Sequence, residues 1–452
     1  MQYISKIQSW LLCLFLFLLP WQTRLILRPG ELNGYWEYGT YGVYLIEIIL
    51  WLIVAFSVIG WLTQKEFPIS NFQFPIKFRI FKSKIFYLGI ILFLIITISS
   101  LRVLSPALSF YWLLHFFEGL AIFLVIRYSA VDWRKLSTAF IAGAVVQSGL
   151  AIWQFATQSV FASKWLGMSA QDPSALGVSV VEDGGMRFLR AYGSLPHPNI
   201  LGVYLLLAII LLSVLIISKV SKVIKDKSAI VPSMALLSYS LVGLLLITGI
   251  FLTFSRAAWL GLLLTVVFIV YAAYKSNAEF LDREILRYFY ILLIPAVVIF
   301  MILGFTFWPL VRTRLMGSER LEAKSNIERV SGYSESWQVI KNHPWFGVGL
   351  GHYTLAIHDE VDPTRPSWAY QPVHNVYLLA LAELGIFGSM AIVAFIALWL
   401  IKLWRGQQKN TLLLTAAFFF FFFFDHFFWS LPFGIWLFWS IMGINYVRTS
   451  LA

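Results

Sequence analysis

His374 and Asn375 stand at the threshold of a long apolar run, directly after the longest hydrophilic interval of the chain, residues 310–373. Histidine is the side chain whose resting pKa best suits general-base work near neutral pH, while two neighbouring polar residues at this place can also cap a helix. Three further polar groups gather where apolar runs begin or end. Ser255 and Arg256 occupy a tight turn, TFSRAAWLG. There an arginine adds its charge to the positive end of a helix dipole, which is unfavourable unless an anion is shared between them. Arg190, Tyr192, His197 and Asn199 cluster in RAYGSLPHPNILG, a pattern that also fits a helix start with Pro198 in its first turn. Asp425-His426 lies close enough to hydrocarbon to be costly unless paired, and reads as a structural ion pair.

The 310–373 interval must position these groups. Its stretch SNIERVSGYSESWQVIKNHPWFGVGLG reads as a helix followed by a glycine turn. Ser325 and Glu328 form a capping box, Ile327, Val330, Trp337 and Ile340 recur at helical spacing, and Pro344 stops the run before Gly347, Gly349 and Gly351. Those glycines follow no strand, so they predict a tight turn and not a dinucleotide site. Arg329 falls on the Tyr333, Ser336 and Ile340 row, beside the apolar stripe, where a helix lying on a membrane would hold its guanidinium near the lipid headgroups. Arg312, Arg314 and Arg320 crowd the same interval, and Arg320 is a further candidate for substrate contact. The acidic run HDEVDP (His358, Asp359, Glu360, Asp362) has the oxygen donors of a hard-cation site. A solvated acidic loop is the simpler reading, and no metal site is expected.

The elements around these groups follow from composition. Of 452 residues 60% are hydrophobic and 12% charged, with several continuous runs near the ~20 apolar residues of a membrane-spanning helix. The expected fold class is an all-α polytopic membrane protein, a single integral membrane domain over 1–452. A β-barrel would alternate where these runs are continuous. About twelve transmembrane helices are predicted, near 8–23, 43–62, 85–101, 107–126, 136–156, 197–217, 234–253, 257–274, 289–309, 374–401, 411–428 and 431–447. The run at 10–21 has no small-residue cleavage site after it and reads as the first of them. Cys13 is the one cysteine, so there is no intrachain disulfide or multi-thiolate metal site. The phenylalanine run 418–424 fits a lipid-facing helix.

In a soluble protein a net charge of +12 would suggest nucleic acid; here it is first a topology signal. Alternating the twelve helices puts 20 of the 34 basic residues on the side of the termini, which makes that side cytoplasmic and turns the 157–196 and 310–373 loops outward. The cytoplasmic set is 13 lysines and 7 arginines, the outward set 11 arginines and 3 lysines. Arginine's rigid fork binds phosphate oxygens two at a time, so the outward face suggests a phosphate or diphosphate ligand.

These stretches resemble the O-antigen ligase and O-antigen polymerase superfamily of bacterial envelope glycosyltransferases, from about Arg190 to Gly388. The ligase motif is similar to His374-Asn375, nine residues, then Gly385 and Gly388; the Ser255-Arg256 turn and Arg329 followed by HPWFGVGLG are also family-like. The resemblance implies the second membrane-type glycosyltransferase fold, with a large periplasmic loop carrying an amphipathic helix, in the bacterial inner membrane. It implies a metal-independent, inverting transfer from an undecaprenyl-diphosphate-linked glycan to an acceptor such as lipid A-core, with no cofactor and with membrane lipids as surroundings. Combined with the residues, the expected catalytic set is His374, Arg256 and Arg329. The expected substrate-binding set is Arg190, His197, Asn199, Ser255, Arg320 and Asn375. A polymerase, which hands the glycan to another lipid-linked glycan, is the alternative within the superfamily. A flippase or transporter is the alternative outside it, since His115, Glu118 and Gln147 sit inside predicted helices. A non-enzymatic assembly scaffold would be indifferent to the loss of His374.

Overall fold

The computed structural model describes residues 2–62, 84–103, 105–225, 233–275, 283–317, 319–405 and 409–450. Much of the basic cytoplasmic segments expected at 63–84, 218–231, 275–288 and 402–409 lies outside these residues. The described residues are 72% helical. Among the described residues four helices are long and apolar enough to cross a membrane: Pro106–Tyr128, Trp133–Thr157, Pro198–Lys219 and Val376–Ile401. Six more apolar helices have 10–17 residues, and a bent pair beginning at Leu293 would make a fifth span. Proline starts several of these helices, at Pro106, Pro198 and Pro432, where its missing N–H would have had no intrahelical acceptor. Two compact units emerge.

The first unit comprises Met1–Leu12, Arg24–Val131 and Asn326–Ala452. Its helix Pro106–Tyr128 packs on Pro432–Ser450, with Gly119 against Trp439 and Gly443 against Ile126, small residues that let two helices approach closely. The chain is mostly helical, consistent with the all-α expectation, and this unit adds one antiparallel hairpin, Arg24–Glu31 with Tyr35–Tyr44. Its three-residue loop, Leu32 to Gly34, holds Asn33 and Gly34 at φ of 53° and 124°, the left-handed region that asparagine and glycine tolerate best. Asn33 Nδ2 donates to the carbonyls of Pro363 (2.7 Å) and Arg365 (3.0 Å), which ties the hairpin tip to the loop before His374. The first helix also stops earlier than expected, at Leu18, two residues before Pro20, because the residue preceding a proline is pushed out of helical geometry.

The 418–424 run is not uniformly lipid-facing. Phe418 and Phe421 are buried while Phe423 is exposed, and Phe418 meets Phe428 and Phe438 edge-on at 5.2 and 5.0 Å. The capping-box expectation is corrected as well. The helix containing Ser325 begins at Arg320, so Ser325 and Glu328 lie within it. Its buried side is Ser336, Val339 and Ile340, whereas Ile327, Val330 and Trp337 face outward.

The second unit comprises Cys13–Thr23 and Asp132–Ser325. Helices Trp133–Thr157, Pro198–Lys225, Ser233–Leu252 and Arg256–Lys275 pack around Phe140, Tyr204 and Phe251. A short hairpin, Val180–Asp183 with Met186–Leu189, sits at one end of the Trp133–Thr157 helix, closed by Gly184 and Gly185 at positive φ. Two buried glutamines of that helix pin the turn before Pro198. Gln154 Oε1 accepts from the Tyr192 and Gly193 N–H groups (both 2.9 Å), its Nε2 donates to the Gly193 carbonyl (2.7 Å), and Gln147 Oε1 accepts from Ser194 N–H (2.7 Å).

Candidate functional site

In the second unit, the residues singled out from sequence meet at the turn that leads into the Arg256–Lys275 helix. Phe254 takes φ of 48° there, an uncommon conformation for a residue with a bulky side chain. The two carbonyls that the turn presents are each held by a guanidinium: Arg190 Nε donates to Thr253 (2.8 Å) and Arg314 Nε to Phe254 (2.9 Å). Arg190 also donates to Asn199 Oδ1 (2.7 Å). Ser255 caps the helix, its Oγ 3.4 Å from Ala258 N, and Arg256 is the first helical residue.

One carboxylate answers the charge at that helix start. Glu322, 3% exposed, accepts from Arg314 Nη1 through Oε1, and its Oε2 lies 3.8 Å from Arg256 Nη2. This anion is what the dipole argument asked for, and the chain supplies it. Arg314 was named from sequence only as one of three arginines crowding the loop, and Glu322 was not named; a buried acid eight residues after a buried arginine leaves no mark in a polar loop. Arg320, chosen instead, is 75% exposed and only 3.7 Å from Glu182, a surface pair of small energetic weight. His197 heads the Pro198 helix: its Nδ1 accepts from Asn199 N–H (3.1 Å) and its Nε2 lies 2.9 Å from Ser179 Oγ.

In the first unit, His374 and Asn375 precede the Val376–Arg405 helix, and Asn375 is its cap, accepting from Leu378 N–H at Oδ1 (3.1 Å). His374 Nδ1 lies 3.6 Å from Asp425 Oδ1. That is ion-pair reach, slightly longer than a hydrogen bond. The pairing expected within Asp425-His426 is therefore redirected, since Asp425 faces His374 and His426 bonds Ser430 Oγ through Nδ1 (2.5 Å). The two imidazoles sit 5.0 Å apart, and the Tyr38 ring meets His426 edge-on at 6.1 Å. Sequence reasoning placed Asp425 at a costly depth but did not connect it to His374, fifty-one residues away.

The glycine turn after Pro344 is built into the same helix. Gly385 has φ of 65° and ψ of −170° and breaks it. Ile386 and Phe387, which would otherwise donate to Ala382 and Glu383, donate to the Pro344 (2.8 Å) and Trp345 (3.3 Å) carbonyls. The released Ala382 and Glu383 carbonyls accept from Val348 and Gly349 N–H (both 2.9 Å). Four backbone bonds exchange across the break, so no amide is orphaned. Arg329 lies in this unit, half-buried, with no ion pair or hydrogen bond among the described residues.

Ligand spacing for a metal ion occurs twice among the described residues, at His374, Asp425 and His426 and at Glu47, His115 and Glu118. The acidic run expected as the alternative cation site is dispersed. Glu360 pairs with His343 (2.7 Å) and Asn342 (2.8 Å), and His358 with Asp359 (2.5 Å). The hydroxyl and N–H of Thr364, with Arg365, hold the Asp362 carboxyl down at about 2.

Comparison with curated proteins gives no match. Residues 241–393 match the family model for O-antigen ligase. The matched stretch takes in Ser255, Arg256, Arg314, Glu322, Arg329, His374 and both glycines of the break, and stops before Asp425. The resemblance read from His374-Asn375 and Gly385-x-x-Gly388 is thereby borne out: residues 241–393 of this membrane protein are similar to the O-antigen ligase family.

Proposed function

We propose that the protein is a membrane glycosyltransferase of the O-antigen ligase type, moving a glycan from undecaprenyl diphosphate to an acceptor hydroxyl at the outer face of a bacterial inner membrane. The observation that carries this reading is the His374–Asp425 pair within a chain whose 241–393 stretch matches O-antigen ligase. An acid beside Nδ1 favours the tautomer that keeps Nε2 available as a proton acceptor.

In the proposed reaction the acceptor O–H attacks the anomeric carbon from the face opposite the diphosphate. The new C–O bond forms as the sugar–phosphate C–O bond breaks, its electron pair leaves with the diphosphate, and the hydroxyl proton passes to His374. Configuration inverts. Arg256 and Arg329 neutralise the charge that develops on the departing diphosphate, which replaces both a metal and a general acid. Arg190 and Ser255 shape the turn that presents Arg256; His197, Asn199, Arg320 and Asn375 complete the proposed substrate-binding set. The fold is read as about twelve spans with cytoplasmic termini. The exposed stripe Ile327, Val330 and Trp337, with Lys341 Nζ 5.8 Å from the Trp337 ring, suits a helix resting on the lipid surface.

The intramembrane polar residues that suggested a transporter have local tasks. Gln147 holds the Ser194 turn, and Glu118 accepts from Trp51 (2.8 Å), Trp436 (3.2 Å) and His115 (2.9 Å). The test is purified protein in proteoliposomes with lipid-linked repeats, with and without lipid A-core, in buffer containing EDTA. Core-dependent product that resists EDTA is expected. Product ladders without core would make it a polymerase, and abolition by EDTA would remove the metal-independent mechanism.

A further inference from the structure

Glu322 is an acid with no part in the proposed chemistry, and it occupies a helix start where an anion would be expected to bind. It is 3% exposed, bonded through Oε1 to the buried Arg314, while Oε2 has no hydrogen bond and stands 3.8 Å from Arg256 Nη2. Beside the two guanidiniums, the first turn of the twenty-residue Arg256–Lys275 helix adds its own N–H groups and partial positive charge. Of the two arginines, Arg256 is the one that reaches outward, 33% exposed against 8% for Arg314. Its hold on Glu322 is a long contact to an oxygen that makes no other bond, and so is the easier half of the bridge to exchange.

We infer that Glu322 is a resident anion: its carboxylate spans Arg256 and Arg314 when no substrate is bound, and it yields Arg256 to the diphosphate of an arriving ligand. The arrangement keeps the buried Arg314 answered and the two guanidiniums correctly spaced between turnovers, since an unanswered buried charge is costly. It also sets a threshold. A ligand with a single weak negative charge does not repay the loss of the Glu322 contact, whereas a diphosphate, with more charge and several oxygens for the guanidinium fork, does. Glu322 is thus a selectivity element for diphosphate over monoanionic lipid headgroups. The inference rests on the reading of Arg256 as the diphosphate-binding residue.

The test uses full-length protein in nanodiscs of zwitterionic lipid and inorganic pyrophosphate as the probe. Direct binding is compared in wild type, Glu322→Asp and Glu322→Gln. If the carboxylate competes with the ligand, affinity rises in the order Glu, Asp, Gln, by roughly tenfold overall, the weight of one charge-assisted contact. In Glu322→Gln the preference for pyrophosphate over vesicles containing phosphatidylglycerol narrows. A residue that only braces the arginines predicts the reverse order, and a flat or reversed series overturns the inference. Because Gln leaves the buried Arg314 without this acid, thermal midpoints are read with and without pyrophosphate. A larger stabilisation by pyrophosphate in the variants than in wild type supports exchange, and an equal or smaller one overturns it. Competition with lipid-linked glycan separates the two claims. Pyrophosphate that binds in the expected order yet leaves glycan transfer untouched keeps the exchange and removes the assignment of this site to the donor.

Discussion

Gly347 and Gly385 each pack against the backbone two residues before the other. A methyl group on Gly347 would lie 2.3 Å from the Glu383 carbonyl carbon, and one on Gly385 would lie 2.4 Å from that of Trp345. Both residues have positive φ, 67° and 65°, so neither the conformation nor the space admits another side chain. The loop after Pro344 therefore locks into the break of the helix that His374 precedes, and the two glycine motifs are halves of one joint.

Gly385→Ala and Gly347→Ala should each lower stability by on the order of 2 kcal/mol or more, from backbone strain and steric overlap together. Scanning fluorimetry in detergent checks this. The double variant should lose less than the sum, because either change opens the same joint; strict additivity would argue against a shared contact.

Gln154 satisfies three backbone groups of a buried turn. Gln154→Leu strands the Tyr192 and Gly193 N–H groups and the Gly193 carbonyl, and should cost about 2–4 kcal/mol, with Gln154→Glu recovering only the two N–H contacts. The same pair of midpoints reads the outcome, and a neutral Gln154→Leu would refute the role.

His352 gives a pH signature to the first unit. Burial pushes its imidazole below the ordinary value, with the Leu350 carbonyl opposing, and Nε2 is enclosed without a partner. A base whose pKa is lowered by folding binds its proton more readily when unfolded. Its contribution is therefore complete above about pH 6.5, the ordinary histidine value, and drains away as pH falls from there toward the lowered folded value. His352→Gln should flatten the thermal midpoint between pH 7 and pH 5; an unchanged slope contradicts the assignment.

Asp425→Asn should reduce transfer by roughly 10²-fold while leaving the donor KM near wild type, as expected of a residue that orients a general base. A variant altered in KM alone would reassign Asp425 to binding.

Much of the helical frame was legible because apolar runs and proline starts act locally. Pro106, Pro198 and Pro432 each mark an observed helix start. The Asn33-Gly34 hairpin was legible too and went unread, because the turn signal lay in a segment treated as a plain connection. At the candidate site, sequence identified the turn at Ser255-Arg256 and the histidine at 374, which stand out as polar groups beside apolar runs. It missed Glu322, Arg314 and Asp425 as partners. Their significance lies in long-range pairing, which no periodicity encodes, and in burial within a loop whose composition reads as solvated.

The most direct measurement is glycan transfer by purified His374→Ala and Arg256→Ala protein in proteoliposomes, with folding verified for both. The account predicts that each falls to about 1% of wild type or lower, the scale on which general bases and charge-stabilising arginines act. Wild-type transfer by either variant would contradict it.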